Sequence, residues 1–298
     1  MSAPENDNIT RSCCRVAPPA GTRMQANYGR WVRAATIGFG FILSTRGLAS
    51  PAPTLLFQFA QQCLWAQQNG RKPECEFVGR DTHGAYAYVI KRDVVGDWQF
   101  LLIPTARVTG IESPDLIKDD APNYFAFAWE ATVTISQYRG ISVPREDLAL
   151  AVNSAAGRSM HQLHIHIDCI RADVREALRT HANEITNRWL SITDARWPEA
   201  ATAFGGHRYF VRWVDGPGLQ GVNLFRLVAD RDEETNGNMA LQTIVVVGGP
   251  ERGRLPGFYV LTDEAHVSWG KADPIANDPG SGEDLMDHQG CPALKINR

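Results

Sequence analysis

Apolar positions recur at helical spacing in residues 54–68 (TLLFQFAQQCLWAQQ), where Leu55, Phe59, Cys63 and Ala66 predict one amphipathic helix. Two runs rich in aromatic and β-branched residues follow, Ala85–Lys91 (AYAYVIK) and Trp98–Pro104 (WQFLLIP). The DVVGD between them suits a hairpin loop. A polar loop then runs to Asp120, and Pro122 opens a predicted helix over 122–139. Its inner stripe is Phe125, Trp129, Val133 and Ile135, with Gly140 as its stop. Leu148–Asn153 reads as a strand, NSAAGRS as a turn, and 161–168 as a second strand. A helix is expected over 171–189, with Val174, Leu178, Ile185 and Trp189 facing inward.

Beyond residue 195 the strand signals weaken to His207–Val214, Asn223–Val228, Leu241–Val247 and Phe258–Leu261. GGPERGRLPG at 248–257 reads as a loop. Hairpins with segregated helices predict an α+β fold, an antiparallel sheet covered by helices. The expected division is a leader at 1–53, a catalytic half at 54–195 and a strand-rich half at 196–298 packed on the first.

Composition changes the picture mainly by exclusion. Apolar residues make up 44% and charged residues 21%, which is ordinary for a packed domain. A net charge of -3, with no long Lys or Arg run, excludes general attraction to nucleic acid. No GxxxxGK, CxxC or HExxH motif is present.

The N-terminus has its own pattern. Residues 1–23 are polar and Pro-rich, and then Arg30 and Arg33 precede the apolar run Ala34–Leu43. Small residues and Pro51 and Pro53 follow, the layout of a secretory signal. The run is shorter than the ~20 residues of an ordinary spanning helix, so a cleaved signal and a marginal signal-anchor both stay open. Met24 is an alternative start. The expectation is a globular part on the exported, periplasmic side of the inner membrane.

Cysteine usage agrees with export. Apart from Cys13 and Cys14 in the leader, Cys63, Cys75, Cys169 and Cys291 remain, which allows three pairings. A local Cys63–Cys75 bridge is favoured, leaving Cys169 to pair with Cys291. Four reduced, buried cysteines are the alternative.

The chemistry concentrates in 159-SMHQLHIHIDC-169, which holds three of the eight histidines. On a strand, Gln162, His164, His166 and Asp168 share one face, while His161 turns to the other with Leu163, Ile165 and Ile167. His164, His166 and Asp168 would spread over about 13 Å of strand, too far for one ion, so no metal is expected. An imidazole can instead attack phosphorus, with a second beside it to orient the phosphate or carry a proton. The preceding turn suits a phosphate: Gly157 for backbone approach, Arg158 as a cation, Ser159 as a hydroxyl, and Asn153 for ribose or phosphate contact.

The segment GRSMHQLHIHI resembles the histidine-triad motif, written His-φ-His-φ-His-φ-φ after a Gly-Gln-Ser/Thr turn. The resemblance places the first His on Gln162, the nucleophile on His164 and the last His on His166. Gln162 and Arg158 depart from the pattern. FLLIPTARVTGIESPDL resembles the strand and loop that approach base and ribose, so the likeness spans Ala85–Ile170. It implies a histidine-triad-like sheet. The strand order of the second half separately suggests a degenerate copy serving as an internal partner.

A wider set resembles the bacterial CDP-diacylglycerol pyrophosphatase family. It comprises the QQC…C at Gln62–Cys75, LLIPTARVTGIESP, the Pro-Asn-Tyr-Phe helix, AVNSAAGRSMHQLHIHIDCIR, RW at 188–189, GGHRYFVRW and DHQGC. That resemblance implies hydrolysis of CDP-diacylglycerol to CMP and phosphatidate by a membrane-associated enzyme without a cofactor. Two rival readings stay open: an exported hydrolase of soluble nucleotide conjugates, and a nucleotide- or lipid-binding protein whose site has decayed at Gln162.

Overall fold

The computed structural model describes residues 54–192, 197–231, 238–252, 255–267, 277–278 and 280–291. The leader expected at 1–53 lies outside the described residues. Among those described, no helix is long and apolar enough to cross a membrane.

The first half runs α1 (Leu55–Gln68), β1 (Phe77–Arg80), β2 (Tyr86–Arg92), β3 (Phe100–Pro104), α2 (Tyr124–Glu130), α3 (Val133–Arg139), β4 (Leu148–Val152), β5 (Ile165–Cys169) and α4 (Ala172–Thr180). The second runs β6 (Leu190–Ser191), α5 (Pro198–Ala203), β7 (Phe210–Asp215), α6 (Leu224–Ala229), β8 (Gln242–Arg252) and β9 (Leu255–Glu264). These nine strands form one antiparallel sheet, in the order β1-β2-β3-β5-β4-β8-β9-β7-β6, and His266–Val267 pairs with Asn277–Asp278 in a separate two-stranded sheet. This is the α+β architecture expected.

The order mirrors itself about the β4–β8 seam, where Ala149 pairs with Val247 and Val152 with Ile244. In both halves a hairpin, a helix and a second hairpin follow one another: β2-β3, α2 and α3, β4-β5, then β6-β7, α6, β8-β9. The helices reinforce the symmetry. Asn123 caps α2 by accepting from the Ala126 N–H, and its amide donates to the carbonyls of Leu219 and Val222. Asn223 caps α6 by accepting from the Arg226 N–H and donates to the Leu116 carbonyl. Each half thus holds the loop of the other, as in a two-fold interface, and Phe125 meets Phe225 with ring centroids 5.0 Å apart.

The sheet separates two apolar layers. Leu148, Leu150, Ile165, Ile167 and Val246 pack beneath α2, α3 and α6. On the other face Ala149, Ala151, Val245 and Leu261 lie under α4 and α5, and Val89, Leu101 and Ile103 lie under α1.

Several local expectations are corrected. The helix over 122–139 is two helices, broken at Ala131 and Thr132, and Val133 is exposed while Gly140 closes α3 at φ 65°. The helix expected over 171–189 ends at Thr180, although Ile185 is buried as foreseen. Asn223–Val228 is helix, because the Asn223 cap starts a turn that buries Leu224, Phe225 and Val228 together. The supposed loop 248–257 is part of the β8–β9 hairpin. Its glycines make room: a Cβ on Gly249 or Gly257 would lie 2.3 or 2.2 Å from the Trp213 ring.

Cys169 and Cys291 form a disulfide across 122 residues. The local bridge does not form: Cys63 and Cys75 are buried thiols in contact under α1, where desolvation pushes the Cys75 thiol well up. Closing a loop of that length is worth about 4–5 kcal/mol in the chain-entropy account. Cys291→Ser should therefore lower the calorimetric midpoint by roughly 5–15 °C, and wild type in reductant should fall to match it. An unchanged midpoint in both would show that the bridge adds nothing.

Candidate active site

The strand expected over 161–168 begins only at Ile165, because Gln162 is drawn aside to the carbonyls of Pro104 and Ala106, and from there the alternation holds. Ile165 and Ile167 enter the large core, whereas His164 and His166 emerge on the α1/α4 face with ring centroids 4.9 Å apart. His161 is exposed and away from them. His164 Nδ1 lies 2.8 Å from the backbone oxygen of Gln162. A carbonyl only accepts, so Nδ1 carries the proton and Nε2 keeps its lone pair. Burial holds His164 below its ordinary pKa, outweighing the Gln162 hydrogen bond and the charges of Glu283 and Asp93. At neutral pH it is an uncharged imidazole with a free Nε2 pair.

His166 is buried still more completely, and desolvation with the adjacent His164 and His288 holds it well below the ordinary range. Its Nδ1 is 3.3 Å from Glu283 Oε2 and 3.0 Å from the Gln99 amide. The Gln99 amide nitrogen only donates, so Nδ1 accepts from it and the neutral ring carries its proton on Nε2. His166 Nε2 is buried without a partner among the described residues.

Glu283 comes from a 3-10 turn, Gly282–Leu285, far along the chain. Asn153 holds it there: the amide oxygen accepts from the Gly282 N–H at 2.8 Å, and Nδ2 donates to Glu283 Oε1 at 2.9 Å. Gly282 permits the approach, since a Cβ would stand 2.9 Å from Thr243 and Val245 side-chain atoms. The same segment then follows β5. The Arg171 N–H donates to the Leu285 carbonyl, the Asp287 N–H to the Cys169 carbonyl, and Cys291 joins Cys169.

That path delivers a third imidazole. His288 Nδ1 is 2.8 Å from Oδ2 of Asp168, which shares the strand face of His164 and His166. Burial pushes Asp168 up to about 6 despite His288, while the Asp168 hydrogen bond holds His288 above its ordinary value. Above about pH 6 the pair is therefore carboxylate and imidazolium until His288 titrates. Of the three imidazoles here, His288 alone has its charged form favoured.

The expected phosphate turn is arranged differently. Ser154 Oγ accepts from the backbone N–H groups of Ala156 and Gly157, so the Gly157 amide is already engaged. Arg158 makes a bidentate pair with Glu112, both contacts 2.5 Å. Burial pushes Glu112 up, but Arg158 prevails and holds it low. Gly110 leaves the space, because its Cβ would sit 2.0 Å from Arg158 Nη1. Ser159 is exposed. Gln162 is fully buried and donates to the carbonyls of Pro104 and Ala106, tying the end of β3 to the histidine strand.

Thus His164, His166 and Asn153 converge, Asn153 as the anchor of Glu283. Arg158 and the Gly157 amide are committed elsewhere. Glu283, His288 and Gln99 were not singled out as site residues, and Asp168 was weighed only as a metal ligand on the histidine face. For His288 the sequence signal was the DHQGC segment beside a cysteine expected to pair with Cys169. No group of three or more His, Cys, Asp or Glu among the described residues is placed to hold a metal ion.

A family model described as CDP-diacylglycerol pyrophosphatase matches residues 52–295, covering both halves, the histidine strand and the C-terminal segment. The chain belongs to the CDP-diacylglycerol pyrophosphatase family, hydrolases that act on a pyrophosphate bond.

Proposed function

We propose that the protein hydrolyses CDP-diacylglycerol to CMP and phosphatidate in phospholipid metabolism, through a covalent cytidylyl-histidine on His164. The observation that carries this reading is the 2.8 Å contact from His164 Nδ1 to the Gln162 carbonyl, which frees Nε2 for attack. Nε2 attacks the nucleotide-side phosphorus, and the bridging P–O bond breaks with its electrons passing to phosphatidate. The leaving group is itself a phosphate anion, so it needs neighbouring positive charge more than a proton. The His288 imidazolium beside Asp168 supplies that charge, in place of the committed Arg158. Ser159 remains a hydroxyl for a phosphate oxygen.

In the second step water attacks the cytidylyl phosphorus. The Glu283 carboxylate beside His166 takes a proton from that water, while neutral His166 offers its Nε2 proton to a phosphate oxygen. The P–N bond breaks with its electrons returning to His164 Nε2. CMP leaves, and His164 regains its starting state. The leader pattern and the Cys169–Cys291 disulfide support a membrane-associated enzyme with its globular part on the exported side of the inner membrane.

His164→Ala should abolish release of CMP from CDP-diacylglycerol, while Glu283→Gln should lower kcat by about 10–100-fold with little change in KM. Equal turnover by wild type and His164→Ala would reject the nucleophile. Brisk hydrolysis of soluble nucleotide conjugates with none of the lipid would move the substrate to that class.

The pH profile follows from the directions of the shifts. A lowered His164 pKa keeps the nucleophile neutral below 6.5, so the acid limb of kcat/KM falls below that value. A raised His288 pKa puts the alkaline limb above 6.5. The charges facing His288 are Asp168 and His166 on β5 with Glu283 and Asp287 on its own segment. Asp168→Asn should slide the alkaline limb downward, and His288→Gln should remove it. An alkaline limb unmoved by either change would remove His288 from the reaction.

A further inference from the structure

The loop between β2 and β3 carries the most exposed large apolar side chain in the described residues, Val94 at 88%, with its chain neighbour Val95 at 50%. We infer that this loop is a lipid-facing element that seats the active site on the bilayer surface. The inference rests on the reading of CDP-diacylglycerol as substrate, whose acyl chains stay in a membrane while its pyrophosphate is cut.

The surroundings of the two valines fit an interface between hydrocarbon and headgroups. Tyr138 is 45% exposed beside the loop, and Trp98 is half-buried at its base. Arg139 lies over both rings, 4.4 Å from the Trp98 centroid and 5.4 Å from that of Tyr138. Arg92 lies 5.1 Å from the Tyr138 centroid and donates to its hydroxyl. Two aliphatic tips, two amphipathic rings and two guanidinium groups form the sequence of layers that a monotopic surface presents to lipid. The guanidinium groups match anionic phosphates. The loop also holds two acids. Asp93 accepts from the Val94 N–H, and the Asp97 carboxylate lies 4.0 Å from Arg139.

The loop is pinned to the catalytic apparatus. The Asp97 N–H donates to the His288 carbonyl at 2.8 Å, and Arg139 donates to the Asp97 carbonyl. Gly96, at φ 67°, approaches His288 so closely that a Cβ would fall 2.3 Å from its oxygen. At the start of the loop the Asp93 charge reaches His164, and at its end Gln99 contacts His166. From Val95 to Gln99 is four residues, which an extended chain spans in about 14 Å at most. A bilayer surface touched by Val94 and Val95 therefore stands within reach of a lipid pyrophosphate placed at His164.

The test compares wild type with the full-chain variants Val94→Glu and Val95→Glu. Both side chains are exposed, so the thermal midpoint should not move. On phosphatidylethanolamine–phosphatidylglycerol vesicles carrying long-chain CDP-diacylglycerol, kcat/KM should fall about tenfold per substitution. On monomeric short-chain CDP-diacylglycerol below its micelle threshold, it should stay within about twofold. Unchanged turnover on vesicles, or an equal loss on both substrates, would overturn the inference. Should wild type hydrolyse neither substrate, the reading of the substrate fails separately. The loop is then judged by an environment-sensitive fluorophore on Val94→Cys: a blue shift on the same vesicles supports it and no shift rejects it.

Discussion

The active face depends on how the segment 280–291 is clamped along the histidine strand. Two buried, uncharged imidazoles on a strand are chemically incomplete, since nothing on β5 itself orients His166 or supplies positive charge. Asn153 solves the first problem by using both ends of its amide, accepting from the Gly282 N–H and donating to Glu283. Asp168 solves the second by holding His288 at 2.8 Å. The Cys169–Cys291 disulfide and the Asp287-to-Cys169 hydrogen bond keep the segment in register between these contacts. Each link is local and modest, but all act on one strand, so loosening any of them disturbs the same site.

Burial then divides the labour among the imidazoles. Desolvation disfavours the charged form, and it acts most strongly on His166 and strongly on His164. Both are neutral, and His164 keeps a free Nε2 lone pair. His288 is partly exposed and bonded to a carboxylate, so the balance tips the other way. One face therefore holds a free lone pair beside a group whose charged form is favoured, while Arg158 is paired with Glu112.

The sheet frames this arrangement through an internal two-fold likeness. Asn123 and Asn223 cap corresponding helices and reach across to each other's loops, and β4 pairs with β8 at the seam. The second half carries no histidine in the strand β9, LPGFYVLTDE, which is placed like β5. It contributes a covered sheet edge for β4 and the chain path that returns 280–291 to the first half.

Much of this was legible in the sequence, and the reasons for the rest are physical. Strand alternation put His164 and His166 on one face, because period-two patterning is local, although the strand starts only at Ile165 and His161 lies before it. The Cys169–Cys291 pairing was accessible through the parity of cysteines, although the accompanying Cys63–Cys75 bridge does not form. Asn223–Val228 was read as a strand because a short apolar run has no period long enough to separate helix from strand, and its cap decided. The glycines at 248–257 imitated a loop while serving Trp213. Glu283, Gln99 and His288 were hidden because their roles come from tertiary return of distant segments. Arg158 looked like a free cation because nothing local announces Glu112, 46 residues away, as its partner.

The central claim is that His164 forms a covalent bond to the nucleotide-side phosphorus. Rapid acid quench of enzyme with CDP-diacylglycerol, followed by peptide mass spectrometry at alkaline pH where phosphoramidates survive, tests it directly. The account predicts one cytidylyl group on the peptide containing His164, increased in Glu283→Gln because the second step is slowed. A cytidylyl group on any other residue, or none while phosphatidate is released in a burst, would contradict it.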